Sequence, residues 1–238
     1  MEFPWTEEEF NSKLQESVRF YWTTRREQAE RQASLGRLDA GHRNEVTGGK
    51  HLDALGLLLI SAIREVGFTH QEIWFNKALP VPGYYRAQKK WDICVIRNGI
   101  LLAAIELKSQ SGSFGNNFNN RSEEVIGSAR DFWLAYREQA FHSMVQPWLG
   151  YCFLLEDSDK SSEIVKLTKS PLPAMPVFKN TSYKDRYKIL CERLVLERDY
   201  NAAALIISKK DASFYEPSKE LGLFHFACAL YKHLKVNQ

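Results

Sequence analysis

The 238-residue chain is 44% hydrophobic and 26% charged, which is ordinary for a globular protein and allows a large core without disulfides. Its formal net charge of +3 permits nucleic-acid binding without requiring it. Four widely separated cysteines argue against a disulfide framework or a zinc site. The sequence has neither a long apolar segment nor a signal-peptide core, which predicts a cytoplasmic protein with no membrane contact.

The N-terminal part of the chain predicts two helices. A capping-box pattern at Thr6 is followed by apolar residues at helical spacing as far as about Ser34. A second amphipathic helix is predicted from about residue 49 to residue 66, with a glycine as its stop. We expect residues 1–45 to form a helical and basic segment that packs on a single domain spanning residues 1–238.

The middle of the chain predicts strands, with an antiparallel hairpin at their centre. A strand over residues 72–78 and a Pro-Gly turn over residues 80–85 come first. An Asn-Gly pair at residues 98–99 then separates two apolar runs, residues 91–97 and residues 100–109. This arrangement is a strong hairpin signal, because Asn-Gly favours the two-residue turn that joins antiparallel strands.

The C-terminal half predicts helices that alternate with buried strands. Residues 112–121 are predicted to be a polar, Asn-rich loop, and a helix is predicted to begin near Asn120. Continuous apolar runs at residues 148–155 and 203–208 are typical of strands that are buried on both faces. Two further helices are predicted at residues 183–200 and 221–234. The fold class is therefore predicted to be α/β, with a mixed central β-sheet flanked by helices.

Three charged residues of the predicted hairpin, Asp92, Glu106 and Lys108, form the candidate catalytic centre. Glu106 and Lys108 are two residues apart on one strand, so they project from the same face about 6.6 Å apart. Symmetric pairing about the turn sets Asp92 opposite Ile105, and a modest bulge or a skewed turn would aim both carboxylates at one ion. Two carboxylates suit Mg²⁺, for which the Leu107 carbonyl is a further candidate ligand. Lys108 could act as a base or stabilise developing negative charge.

A structural ion pair is the alternative interpretation of this pattern. An acid-x-Lys triplet is expected by chance about twice in a chain of this length. Here it occurs once, at the end of an apolar strand and with an acid at hairpin distance upstream. Charged groups at the ends of hydrophobic strands are costly unless they are paired or functional, so both interpretations stay open at this point.

The spacing of these residues resembles the PD-(D/E)xK nuclease superfamily, with thirteen residues between Asp92 and Glu106 and with Trp91 in place of the usual proline. The Asn-rich run from Phe114 to Arg121, with the Gly-Gly-Lys-His run that ends at residue 51, resembles the XhoI family of type II restriction endonucleases. The resemblance implies a PD-(D/E)xK core and a Mg²⁺-dependent homodimer. It also implies cleavage of double-stranded DNA at a palindromic site such as CTCGAG, with a DNA methyltransferase in the same system that does not bind the enzyme.

The Asn-rich run supplies candidate DNA contacts. Asparagine is suited to adenine and arginine to guanine. We therefore expect base contacts from Asn116, Asn117, Asn119, Asn120 and Arg121. The alternative is a turn whose side chains satisfy their own backbone.

Residues outside the Asn-rich run supply further candidates. Lys50 and His51 are expected to bind backbone phosphate at the opening of the second helix, with a plain helix cap as the alternative. Gln110 shares a face with Lys108 and could orient a water or a phosphate, or have a structural role. Glu65 is a possible accessory acid, for which Asp53 and Glu45 compete and a solvated charge is the alternative. A basic cluster could follow phosphates or form a solvated helix face: it comprises Arg25, Arg26, Arg31, Arg37, His42 and Arg43.

The sequence therefore predicts a type II restriction endonuclease that hydrolyses phosphodiester bonds in double-stranded DNA with Mg²⁺. Cutting both strands of a palindrome calls for two symmetric active sites and hence for a two-fold homodimer. Two alternatives remain. One is a repair or recombination nuclease with the same fold, and the other is a DNA-binding protein that keeps the fold without cleaving.

Overall fold

The computed structural model describes residues 2–34, 50–76 and 79–237. Several of the residues discussed above lie outside these ranges: Arg37, His42, Arg43, Glu45, Gly48 and Gly49. The part of the predicted N-terminal segment from residue 35 to residue 45 also lies outside them.

Helices occur close to the predicted positions within these ranges. They are α1 (Glu7–Ser34), α2 (Asp53–Glu65), α3 (Phe114–Arg137), α4 (Asp159–Ser162), α5 (Tyr183–Leu196) and α6 (Leu223–Val236), with 3-10 turns at Lys50–Leu52 and Pro176–Phe178. The capping box forms at the start of α1: the Thr6 amide donates to Glu9 Oε2 at 2.8 Å, and the Glu9 amide donates to Thr6 Oγ1 at 3.2 Å. No helix within the described ranges combines the length and the apolar character needed to cross a bilayer.

The strands are β1 (Ile73–Phe75), β2 (Pro80–Pro82), β3 (Gln88–Lys90), β4 (Ile93–Arg97), β5 (Ile100–Gln110), β6 (Trp148–Glu156), β7 (Ala202–Ser208) and β8 (Phe214–Tyr215). Six of them form one sheet in the order β1-β4-β5-β6-β7-β8. The pairs β5-β6 and β6-β7 are parallel, while β1-β4, β4-β5 and β7-β8 are antiparallel. The predicted α/β class with a mixed central sheet is confirmed.

The two faces of the sheet are covered by different helices. Apolar residues of α1, α2 and α6 pack on one face, and those of α3 and α5 pack on the other. Every residue of β6 and β7 is buried. This explains the continuous apolar runs of their sequences, because a parallel strand between two helical layers has no face left for water.

Two predictions of local structure were wrong. The Asn-rich segment is not a loop, because α3 begins at Phe114 and not near Asn120. Residues 80–90 are not a simple turn but a two-stranded hairpin, in which Val81 pairs with Lys89. Propensity favoured the loop, since asparagine is a weak helix former, but the buried Phe114 and the apolar residues further along the helix outweigh that preference.

Candidate active site

A bulge in the central hairpin brings Asp92 and Glu106 level with each other. Between Val95 and Ile96 the register of β4 on β5 shifts by one residue, so Ile93 pairs with Ile105. Continued by one position, this register sets Asp92 opposite Glu106, whereas symmetric pairing would have set it opposite Ile105. Asp92 Oδ2 accepts a hydrogen bond of 2.7 Å from the Leu107 amide, which holds the carboxylate against the backbone of β5.

Glu106 is the most deeply buried group of the centre, with 4% of its surface exposed. Its Oε1 atom accepts from the Lys108 ammonium at 2.7 Å and from the Lys89 ammonium at 3.0 Å. Its Oε2 atom is buried and has no hydrogen-bond partner. A buried carboxylate oxygen without a partner is costly, which points to a ligand that the protein itself does not supply.

Lys89 is a residue of this centre that sequence reasoning missed. Its ammonium lies 4.6 Å from the centre of the Trp91 ring, and 14% of its side chain is exposed. The residue comes from β3, in the hairpin that the sequence did not reveal. The signal that could have found it is its position two residues before Trp91, which would place both side chains on one face of an extended segment.

The charged groups of the centre shift one another's ionisation. Burial alone would raise the pKa of Glu106, but Lys108 and Lys89 outweigh it and hold that pKa below its usual value. Burial opposes the charge on Lys108, but Glu106 and Asp92 raise its pKa above normal. The pKa of Asp92 is raised by desolvation, although the Leu107 amide and Lys108 lower it in part. Glu106 and Lys108 are therefore an ionised pair at neutral pH, as the ion-pair interpretation also required.

A cleft of about 240 Å³ opens beside these residues. Asp92, Leu107 and Lys108 lie on its wall, while Glu106 faces a narrow crevice that Lys108 shares with Arg121. Other residues that line the cleft come from both helical layers: Arg25, His51, Asp53, Gln110, Asn117 and Arg121. The cleft therefore joins the acids of the hairpin to the beginning of α3.

Two carboxylates and one backbone carbonyl are the candidate ligands for a cation beside this cleft. No group of three or more His, Cys, Asp or Glu side chains with metal-binding geometry occurs in the described ranges. Magnesium does not need one, because it keeps several waters and binds through one or two carboxylates together with substrate oxygens. The unpartnered Glu106 Oε2 atom and the neighbouring Asp92 fit such an ion.

Comparison with known proteins gives the family. The family described as "Restriction endonuclease XhoI" matches residues 31–217, a span that includes Asp92, Glu106, Lys108 and the Asn-rich run. The chain belongs to this XhoI family. The predicted resemblance and the prediction of a restriction endonuclease are thereby confirmed.

Three relatives of the XhoI family carry names of type II restriction enzymes. BstVI from Geobacillus stearothermophilus is 42% identical over 206 residues, which cover 82% of this chain and 92% of the relative. XhoI from Xanthomonas vasicola is 40% identical over 68% of this chain and 66% of the relative. AbrI from Azospirillum brasilense is 43% identical over 65% of this chain and 70% of the relative. No solved structure matches this chain.

The Asn-rich run of this XhoI-family chain forms the first two turns of α3. Asn117 and Arg121 are four residues apart, so they lie on one face of the helix, and both line the cleft. Arg121 also pairs with Glu124 at 2.6 Å. Asn116, Asn119 and Asn120 are exposed, and their helical spacing puts Asn116 and Asn120 at the sides of this face and Asn119 on the opposite side of the helix. Ser113, just before the helix, has a positive φ of 46°, which turns the chain sharply from β5 into α3.

The structure separates the two residues expected to bind phosphate at the second helix. Lys50 is exposed and does not line the cleft. His51 lines the cleft but is 5% exposed, and its Nε2 atom lies 3.2 Å from Ser109 Oγ. Burial lowers the pKa of His51 to about 4, with help from the positive charge of Arg25. The His51 imidazole is therefore neutral at neutral pH and can contact phosphate only as a hydrogen-bond donor.

Gln110 lines the cleft together with Lys108, whereas Glu65 lies away from it. The Gln110 side chain is buried and donates to the Gly112 carbonyl, so it secures the turn into α3 even though it lines the cleft. Glu65 is exposed at the last residue of α2, about 18 Å along the helix axis from the first residue, and lies outside the cleft. Asp53 stands at that first residue, lines the cleft and accepts from Asn76 at 3.2 Å. The acid placed near the centre is therefore Asp53 and not Glu65.

Proposed function

We propose that this member of the XhoI family is a type II site-specific deoxyribonuclease that hydrolyses phosphodiester bonds of double-stranded DNA with Mg²⁺. One observation carries the proposal: the buried Glu106 Oε2 atom lacks a partner, while Lys108 binds the other oxygen of Glu106 and lines the adjoining cleft together with Asp92. Two acids and a lysine suit the cleavage of an anionic phosphodiester, because the reaction requires charge neutralisation and an activated water.

Asp92, Glu106 and the Leu107 carbonyl would hold the magnesium ion. When bound, the ion supplies Lewis-acid activation of water and neutralises charge on the scissile phosphate. Asp92 is pre-positioned by the Leu107 amide, and Glu106 is pre-positioned through its Oε1 atom, so that little reorganisation is needed. The Trp91 that replaces the usual proline is buried beneath this arrangement.

Lys108 acts in this proposal as a cation and not as a base. Its raised pKa keeps the ammonium protonated at neutral pH. A protonated lysine can hold the attacking water by donating to it and can stabilise the charge that develops on the phosphate. Lys89 is a positioning residue in this proposal, because its ammonium binds Glu106 Oε1 and keeps that carboxylate ionised.

The duplex would lie across the cleft with α3 directed towards its bases. Asn117 and Arg121, which line the cleft, would contact base edges together with the neighbouring Asn116 and Asn120, while Asp92 and Glu106 would face the DNA backbone. A palindromic site, CTCGAG or one like it, would be cut by a two-fold homodimer. In a cytoplasm that contains such an enzyme, a methyltransferase of the same system would protect the host DNA.

Digestion of a sequenced plasmid with Mg²⁺, followed by sequencing of the ends, tests the proposal. The expected result is discrete fragments whose ends share one palindromic sequence. Lys108→Met and Glu106→Gln should abolish cutting, whereas Glu65→Gln, a matched change of an exposed acid outside the cleft, should not. Normal cutting by both Asp92→Asn and Glu106→Gln would refute the assigned centre.

A readout independent of cleavage separates the metal site from the rest of the mechanism. Calcium should raise the melting temperature of the unaltered protein, because a ligand that binds only the folded state stabilises it. Glu106→Gln should remove most of this shift, and Glu65→Gln should retain it.

Nicks at mismatches or junctions in place of discrete fragments would favour a repair nuclease, and Mg²⁺-independent binding without cutting would favour a non-cleaving protein.

A further inference from the structure

A hairpin beside the active site presents two tyrosines to solvent. The tyrosine hairpin, residues 80–90, consists of β2, β3 and the turn between them. At its tip Tyr84 is 51% exposed and Tyr85 is 69% exposed, and their rings contact each other edge to face at 4.9 Å. Single exposed aromatic residues are common on protein surfaces, but two in contact at the tip of one turn form a distinct apolar surface.

The tip is held in place by a buried carboxylate of α3. Asp131 is 2% exposed. Its Oδ1 atom accepts from the amides of Tyr84 and Tyr85 at 2.9 and 2.7 Å, and its Oδ2 atom accepts from Arg86 Nε at 2.9 Å. Gly83 allows this contact, because a Cβ atom there would lie 2.5 Å from Asp131 Oδ2. The two rings are therefore displayed on a fixed backbone, which lowers the entropy lost when they bind a partner.

The base of the tyrosine hairpin reaches the catalytic centre. Val81 of β2 is buried in the core, and Lys89 of β3 binds Glu106. Lys89 is four positions after Tyr85, so their Cα atoms are at most about 14 Å apart. That span corresponds to no more than about four base-pair steps of B-DNA. A duplex with its scissile phosphate in the cleft would therefore pass within reach of the tip.

The charge of the tyrosine hairpin suits a polyanion. Arg86, Lys89 and Lys90 are its charged residues, and residues 79–91 contain no acid. Tyrosine rings pack on sugars, and their hydroxyls donate to phosphate oxygens. Arg86 and Lys89 already bind Asp131 and Glu106, so the exposed Lys90 is the cation that the hairpin offers to a polyanion. A hydrophobic protein partner would explain the rings but not Lys90 or the lack of acids in residues 79–91.

We propose that the tyrosine hairpin binds the sugar-phosphate backbone of duplex DNA next to the cleaved bond, through Tyr84, Tyr85 and Lys90. This inference rests on the proposed function, because it takes the substrate of the cleft to be DNA. The contact is to the backbone, so it strengthens binding to any sequence and does not select one. It also seats the scissile phosphate near Lys89 and Glu106.

Binding to a labelled duplex of about 30 base pairs, with Ca²⁺ in place of Mg²⁺, tests the inference by fluorescence anisotropy. Removing both rings in Tyr84→Ala/Tyr85→Ala should weaken binding about tenfold or more, given what aromatic contacts to nucleic acid are worth. The loss should be equal on an unrelated duplex. The matched control is Tyr215→Ala, which removes an exposed tyrosine at the opposite edge of the sheet and should change affinity less than about twofold.

Two further measurements define the contact. Lys90→Gln should reduce the slope of log K against log salt by about 0.9, the value for one phosphate contact. Trimming the duplex to fewer than about four base pairs on each side of the site should remove the difference between the double variant and the unaltered protein, because the tip then has no DNA to touch.

The outcomes are distinguishable. If the unaltered protein neither binds nor cuts DNA, the proposed function fails and the inference fails with it. If it binds and cuts, and the folded double variant binds equally well, only the inference is overturned. If the double variant loses its two-fold assembly in sedimentation experiments without DNA, the surface belongs to a subunit interface and the DNA assignment is overturned.

Discussion

Replacing Glu106 by glutamine tests how the charges of the centre are balanced in the metal-free protein. Glu106 is buried between two ammonium groups at 2.7 and 3.0 Å, so the change leaves Lys89 and Lys108 facing a neutral amide. Removing one partner of a buried ion pair costs about 3–5 kcal/mol. Lys108 is 29% exposed at its side chain and can turn to solvent, so we expect the lower end, about 3 kcal/mol.

Thermal unfolding in a chelator at neutral pH measures this loss. For a chain of this size, about 3 kcal/mol corresponds to a fall in melting temperature of roughly 6–12 °C. Glu65→Gln should stay within about 0.5 kcal/mol, since Glu65 is exposed. The double variant Lys89→Met/Glu106→Gln should lose about 1–2 kcal/mol less stability than the two single variants lose in sum. The reason is that the double variant no longer has the Lys89 ammonium facing a neutral amide.

The stability difference between the Glu106→Gln variant and the unaltered protein should depend on pH, and the pKa shifts fix the direction of that dependence. The pKa of Glu106 is lowered in the folded protein, so its contribution is complete above the ordinary glutamate value of about 4.3 and is lost as pH falls through the folded value. The pKa of Lys108 is raised, so its contribution is complete below about 10.4 and is lost as pH rises through its folded value. A Glu106→Gln protein as stable as the unaltered one at pH 7 would refute the charge balance described here.

Three further predictions follow from buried polar groups. Because the pKa of His51 falls to about 4, stability should decline by about 3 kcal/mol between pH 6.5 and pH 4, and His51→Gln should abolish that part of the decline in urea titrations. Asp131→Asn should cost about 2–3 kcal/mol in thermal unfolding and should loosen the tyrosine hairpin, seen as faster amide exchange at Tyr84. Asp53→Asn should reduce the cleavage rate at least about tenfold while Glu65→Gln leaves it unchanged, and the reverse result would restore Glu65 as the accessory acid.

The sequence predicted the central hairpin well because its signals are local. The Asn-Gly pair and the apolar runs on either side of it define two neighbouring strands, and these bring Asp92 to Glu106 without any long-range information. The one-residue shift at Val95 was expected only as a possibility. A bulge depends on how the strands twist against the layers that cover them, and the sequence of the hairpin alone does not specify that.

Other parts of the site depend on contacts that are distant in sequence. Lys89 reaches Glu106 across 17 residues, through a hairpin whose short strands contain two prolines. Asp131 binds the tip of that hairpin from a helix 47 residues away from Tyr84. Prolines at residues 80 and 82 favour a turn by propensity, so pairing of that segment becomes visible only once its burial against α3 is known.

The start of α3 has a consequence for how a protein with this architecture can diverge. Glu106 lies on β5, and Asp92 is hydrogen-bonded to the β5 backbone. The central residues of β5 are buried and paired with β6, so a change there disturbs the entire sheet. Asn116, Asn119 and Asn120 are exposed, and substitutions at such positions usually alter stability by less than about 0.5 kcal/mol. With the base contacts and the centre proposed above, a lineage could explore new base preferences at the helix while its hydrolytic chemistry stayed constant, and the two properties could evolve at different rates.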